Sequence, residues 1–238
     1  MITKHIAACL ILSAQLASAA AVESELRVTV RLHNSADVPK ATLMAAEHEA
    51  TWVFQEAGIA TEWLDCTATF GQPDFLPVCQ SAIGPAEVSI EVLPREKAHQ
   101  VDRCRETLGA SVVPADRTDE ALLATEAYVC YSCVNGLALS VGRQNEVVDL
   151  VPAILGSVFA HELGHLLGVR DHSALGIMHT PWTGQELTLA EQGRLLFTAA
   201  EKHIIEAQVR MRQTAACSTH STHKLLTSRL GQPATLMR

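Results

Sequence analysis

The sequence predicts an α+β domain, and two observations carry that expectation. With 238 residues, 48% hydrophobic and only 18% charged, the chain can bury one substantial core in a single domain. Strand-like runs gather in the first 134 residues around one early helix, whereas the stretch from Pro152 onward is helical in period. Separation of strands from helices in this way marks an α+β architecture.

The N-terminal segment stands apart from that domain. In "MITKHIAACLILSAQLASAAAVES", Lys4 precedes an apolar run from Ile6 to Leu16, and Ala17-Ser18-Ala19 then forms a small-x-small cleavage signature. Residues 1–20 therefore read as a signal peptide, and the protein is expected to be secreted or periplasmic. The run is too short to span a bilayer and is interrupted by Ser13 and Gln15. Cleavage removes Lys4 and no acidic residue, so the formal charge moves from −8 to −9. So acidic a chain is a poor fit to nucleic acid or anionic lipid, and neither is an expected partner.

Each element of residues 21–212, the expected folded domain, has its own signal. "LRVTVRLH" (26–33) alternates apolar and polar residues, as an amphipathic strand does. Leu43, Ala46, Ala50, Val53 and Phe54 then recur at helical spacing between Pro39 and Gly58. "IATEWLDC" (59–66), "AEVSIEVLP" (86–94) and "TEAYVCYSCV" (125–134) read as further strands. The stretch 95–124 has weak periodicity and reads as loop with short irregular elements. A helix is expected from Pro152, with Ile154, Leu155, Val158 and Phe159 on its apolar face and Gly168 at its end. Residues 188–212 read as one long or two short helices, using Leu189, Leu195, Leu196, Ile204, Ile205 and Val209. From Gln213 to Arg238 no period is sustained, and a loosely structured C-terminal tail is expected; its His220 and His223 carry no functional expectation.

Seven cysteines are present, and loss of Cys9 with the signal peptide leaves six. Six cysteines allow 15 pairings. Cys66 and Cys79 flank "CTATFGQPDFLPVC" between two strands, and their closure is the favoured disulfide. Cys130 and Cys133 form a lone C-x-x-C, which suits a redox pair better than half a zinc site.

The chemistry concentrates in "SVFAHELGHLLGVRDHSALGIM" (157–178). Residues i and i+4 of a helix lie one turn apart on one face, so His161 and His165 can aim their imidazoles at a single ion. Glu162, beside the first histidine, is placed to accept a proton from water attacking a peptide carbonyl. The helix presents only two such ligands, so a third must come from chain that has turned back, and Gly168 can take the left-handed conformation that the turn needs.

With Gly168 and Met178 included, the stretch resembles the metzincin zinc metallopeptidases, whose H-E-x-x-H-x-x-G-x-x-H/D pattern is followed by a methionine turn. The resemblance implies a zincin fold with a twisted mixed sheet, an active-site helix, that turn and a C-terminal helix. It also implies Zn2+ as cofactor, Glu162 as general base, and a monomeric endopeptidase acting on a peptide or protein substrate. Two candidates compete for the third ligand. "GVRDH" places Asp171 at the strict family position, as in the snapalysins, whereas "HS" followed by "IM" resembles the matrixin order and favours His172. Both suit zinc. His172 is the preferred ligand, Asp171 the alternative, and the unused neighbour would orient a ligand. His179, directly after the methionine, is a candidate substrate contact. A catalytically silent metal- or protein-binding module on the same fold is the competing functional expectation, and the intact Glu162 speaks against it.

Overall fold

The computed structural model describes residues 25–98, 100, 107–112, 125–141 and 147–230. The expected signal peptide at residues 1–20 lies outside the described residues, as does Cys104. The chain forms a mixed α+β fold in which one five-stranded sheet, in the order β2-β1-β3-β5-β4, packs against helices.

Strand β1 (Arg27–Asn34) buries Val28, Val30 and Leu32, the alternate residues of the amphipathic run. Helix α1 (Lys40–Gln55) follows with Pro39 at its N-cap, and it buries the expected face of Leu43, Ala46, Ala50, Val53 and Phe54. Gly58, at φ 75°, turns the chain into β2 (Ala60–Asp65), which pairs in parallel with β1. Strand β3 (Glu87–Leu93) lies parallel to β1 on its other side, and β5 (Glu126–Cys130) lies parallel to β3. Between β2 and β3 a short 3-10 turn (Pro77–Gln80) carries Cys79 into a disulfide with Cys66, as the flanking strand ends predicted.

Between residues 95 and 141 three elements differ from the sequence expectation. The stretch 95–124 contains helix α2 (Arg95–Ala98) and strand β4 (Gly109–Val112), which pairs antiparallel with β5 at the sheet edge. Four residues, "GASV", are too few to show a period. The strand read over 125–134 stops at Cys130, and Tyr131–Val141 forms helix α3. A second disulfide, Cys130–Cys133, spans that junction. Apolar residues crowd both sides of it, so periodicity alone did not mark the change.

Helix α4 (Val147–Leu166) begins before Pro152, which lies inside it. It crosses α1 closely: a Cβ on Gly156 would sit 2.4 Å from Ala46 O and 2.6 Å from Glu49 Cβ. Only glycine permits that approach without backbone displacement. Residues 188–212 resolve into α5 (Gly184–Glu191), a link, and α6 (Ala199–Leu230). Leu195 is buried in the link, and Ile204, expected on the apolar face, is exposed. Helix α6 runs on from Gln213 through the segment expected to be loosely structured; its residues propagate a helix already nucleated by the packed turns before them. His220 and His223 lie outside the residues whose side chains are described.

Arg212 binds the C-terminal helix to the rest of the fold. Its guanidinium is buried and donates to Leu166 O at 3.0 Å and Pro85 O at 3.2 Å. Leu166 ends α4, so the cation satisfies one of that helix's last carbonyls. Burial lowers the Arg212 pKa to about 10, which leaves it charged at neutral pH. Among the described residues no helix is long and apolar enough to cross a membrane.

Candidate metal centre

Two of the histidines are set by helix geometry and the third by the turn that follows. His161 and His165 project from one face of α4, and their ring centroids are 4.8 Å apart. Gly168, at φ 99°, terminates the helix, and Val169 N donates back to Gly164 O at 3.0 Å. The returning chain then carries His172 to centroid distances of 5.3 Å from His161 and 5.1 Å from His165.

The methionine turn closes underneath. Met178 is fully buried, and a Cβ on Gly164 would meet its Sδ at 2.9 Å. Gly164 thus leaves the helix face bare where the turn docks. The same turn offers Ile177 O to His161 Nδ1 at 2.8 Å, and Val169 O lies 2.6 Å from His165 Nδ1. Only a protonated Nδ1 can donate to a carbonyl, so each Nε2 keeps its lone pair.

Those lone pairs converge. His165 Nε2 lies 3.2 Å from His161 Nε2 and 3.3 Å from His172 Nε2. A tetrahedral ion with Zn–N bonds of 2.0–2.1 Å separates its nitrogen ligands by about 3.3–3.4 Å. Two of the three separations match that value and all three ligand atoms lie within 4.8 Å of one another, so the cluster can hold a divalent metal ion. His161 is buried, His165 half-buried and His172 exposed. Burial lowers the His161 pKa to about 4 and also lowers that of His165, in each case against the opposing pull of a backbone hydrogen bond. Neutral imidazoles are the form that binds metal.

Asp171 takes no part in this group among the described residues. Its side chain is exposed, and it acts on His165 only through its charge, which raises that pKa slightly against burial.

Glu162 is 4% exposed and projects into the same cleft. Burial raises its pKa to about 7, although a hydrogen bond from Ser111 pulls the other way. Ser111 Oγ lies 2.6 Å from Glu162 Oε2 and 3.0 Å from Glu162 O. Sequence reading missed Ser111, together with Gly109 on the same strand, because nothing in a four-residue run announces a strand that touches the helix. The cleft itself, about 520 Å³, runs between β4 on one side and Thr180, Pro181 and Trp182 on the other. The Trp182 and His161 rings are nearly perpendicular, with centroids 6.0 Å apart.

His179 faces elsewhere. Its Nδ1 lies 3.2 Å from Glu186 Oε1, and it is not among the residues lining the cleft. Glu186 also closes the capping box of α5 with Thr183, so this pair belongs to the packing of the turn. Tyr128 and Tyr131 pack against apolar clusters, in keeping with a structural role.

No family model matches the chain, and no curated protein matches it. Among solved structures the chain is similar to an archaemetzincin from Methanopyrus kandleri, at 13% identity and a TM-score of 0.42, over 79% of this chain and 99% of that chain.

Proposed function

We propose that this chain is a zinc-dependent metalloendopeptidase of metzincin type. The single observation that carries the reading is the convergence of three imidazole Nε2 atoms beside a buried carboxylate in an open cleft. His161, His165 and His172 hold the metal in this reading, with Asp171 left outside to bias His165 electrostatically. Zinc supplies a Lewis acid that acidifies water and polarises a carbonyl.

The chain's own residues do the rest. Glu162, buried and lining the same cleft as the three histidines, accepts a proton from the attacking water and returns it to the leaving amine. Ile177 O and Val169 O fix the tautomer and orientation of two histidines, so the donor atoms are arranged before any ligand arrives. Trp182 and Pro181 form part of the cleft wall. An extended peptide or protein segment is the substrate class that fits a cleft bounded by an edge strand.

Export belongs to the same proposal. Residues 1–20 have the charged, apolar and small-x-small order of a signal peptide, and two disulfides suit an oxidising compartment. The test is direct. Purified mature chain should hold about one zinc per molecule and cleave a denatured protein, with cleavage lost to a chelator and restored by zinc. Full occupancy without any cleavage would instead support the silent binding module.

A further inference from the structure

We infer that Ser111 is a positioning residue for Glu162, and that strand β4 grips the carboxylate between Ser111 and Gly109. This inference rests on the peptidase reading for its kinetic consequence, although the contact itself does not. Residues two apart in a strand face the same way. Gly109 and Ser111 therefore present one face of β4 to helix α4, and both touch the same side chain.

Their contributions are complementary. Ser111 Oγ, itself 8% exposed, donates its single proton to Glu162 Oε2 at 2.6 Å. Gly109 supplies the space: a Cβ there would lie 2.6 Å from Oε1, 2.8 Å from Cγ and 2.9 Å from Cδ. An alanine would occupy the volume the carboxylate fills. One oxygen is thus tied by a donor and the other end of the group is confined by backbone.

A glutamate has three side-chain torsions, and a base works only when its oxygen stays within hydrogen-bond reach of the proton it takes. Fixing one oxygen from the sheet removes most of that freedom. Among the described residues the hydrogen bonds of the hydroxyl go to Glu162 alone, at Oε2 and the backbone carbonyl. Its effect passes through Glu162, so it should appear in turnover and leave substrate binding alone.

The experiment uses the zinc-loaded mature chain and a quenched fluorescent peptide. Ser111→Ala should lower kcat about 10- to 100-fold, the range seen when an orienting partner is lost, with KM and zinc content unchanged. Ser111→Thr, which keeps the hydroxyl, should recover most of the loss, and Gly109→Ala should lower kcat with the donor still present. A Ser111→Ala enzyme with full kcat, or one impaired only in KM, would overturn the inference. A second measurement needs no activity: thermal unfolding of the metal-free Ser111→Ala, Glu162→Ala and double variants should give Tm changes that do not add. Additive changes would overturn the pairing. An inert wild-type protein whose two sites are nonetheless coupled in that cycle would count against the peptidase reading and leave the pairing standing.

Discussion

At the residue scale the sharpest question is which neighbour completes the metal site. His172 brings its Nε2 to 3.3 Å from His165, whereas Asp171 is exposed and lies outside the three-histidine group. His172→Ala should therefore strip or greatly weaken zinc binding, and Asp171→Ala should cost no more than about 10- to 100-fold in affinity. Dissociation constants measured at neutral pH check this ranking, and the reverse order would restore the aspartate. The buried glutamate supplies a pH prediction for the metal-free protein. Glu162 has a folded pKa raised from 4.5 to about 7, so its stabilising contribution is complete below pH 4.5 and is lost as pH rises through 7. His161, lowered from 6.5 to about 4, works in the opposite sense: its contribution is present above pH 6.5 and is lost as pH falls through 4. Glu162→Gln should then stabilise the metal-free fold by a margin that grows from near zero at pH 4.5 to roughly 3 kcal/mol above pH 7. Urea unfolding at pH 5 and pH 8 reads that margin, and equal values at both would contradict the burial argument.

At the element scale, stability depends on a few close contacts between helices and their neighbours. Gly156→Ala places a methyl group against Ala46 O, and backbone cannot yield as a side chain can, so a loss of about 1–3 kcal/mol is expected. Arg212→Ala should cost at least as much, since it leaves Leu166 O and Pro85 O buried without their donor. Chemical denaturation of the two variants checks both. These contacts also explain what the sequence could and could not disclose. Strand β1, helix α1 and strand β3 were legible because their buried faces follow a local period, and the shared face of His161 and His165 because i, i+4 spacing sets it directly. Helix α3 was hidden by a β-like run on its N-terminal side, and β4 by its brevity. Ser111 and Gly109 act on Glu162 from more than 50 positions away, at a separation of 51 for the serine, and no local pattern encodes a contact of that range. The continuation of α6 past Gln213 was missed for a related reason. Its N-terminal turns are fixed by Ile205, Val209 and Arg212, and the helix they start extends beyond the residues that stabilise it.

At the scale of the whole molecule, one sheet and one long helix bring together residues that are distant in the chain, and a disulfide closes the loop between β2 and β3. The Cys66–Cys79 bridge spans a sequence separation of 13, and closing a loop of that length stabilises the fold by about 3 kcal/mol. Replacing both cysteines by alanine should lower the unfolding free energy by that order while leaving zinc content intact, because neither residue touches the cleft. The proposed activity rests on a different group. The central claim is that α4 holds zinc through its histidines and does chemistry through Glu162, and one substitution separates the two. Glu162→Gln should retain about one zinc per chain, with peptide hydrolysis reduced by several orders of magnitude. A Glu162→Gln protein that binds zinc and hydrolyses peptide as fast as the wild type would contradict the account.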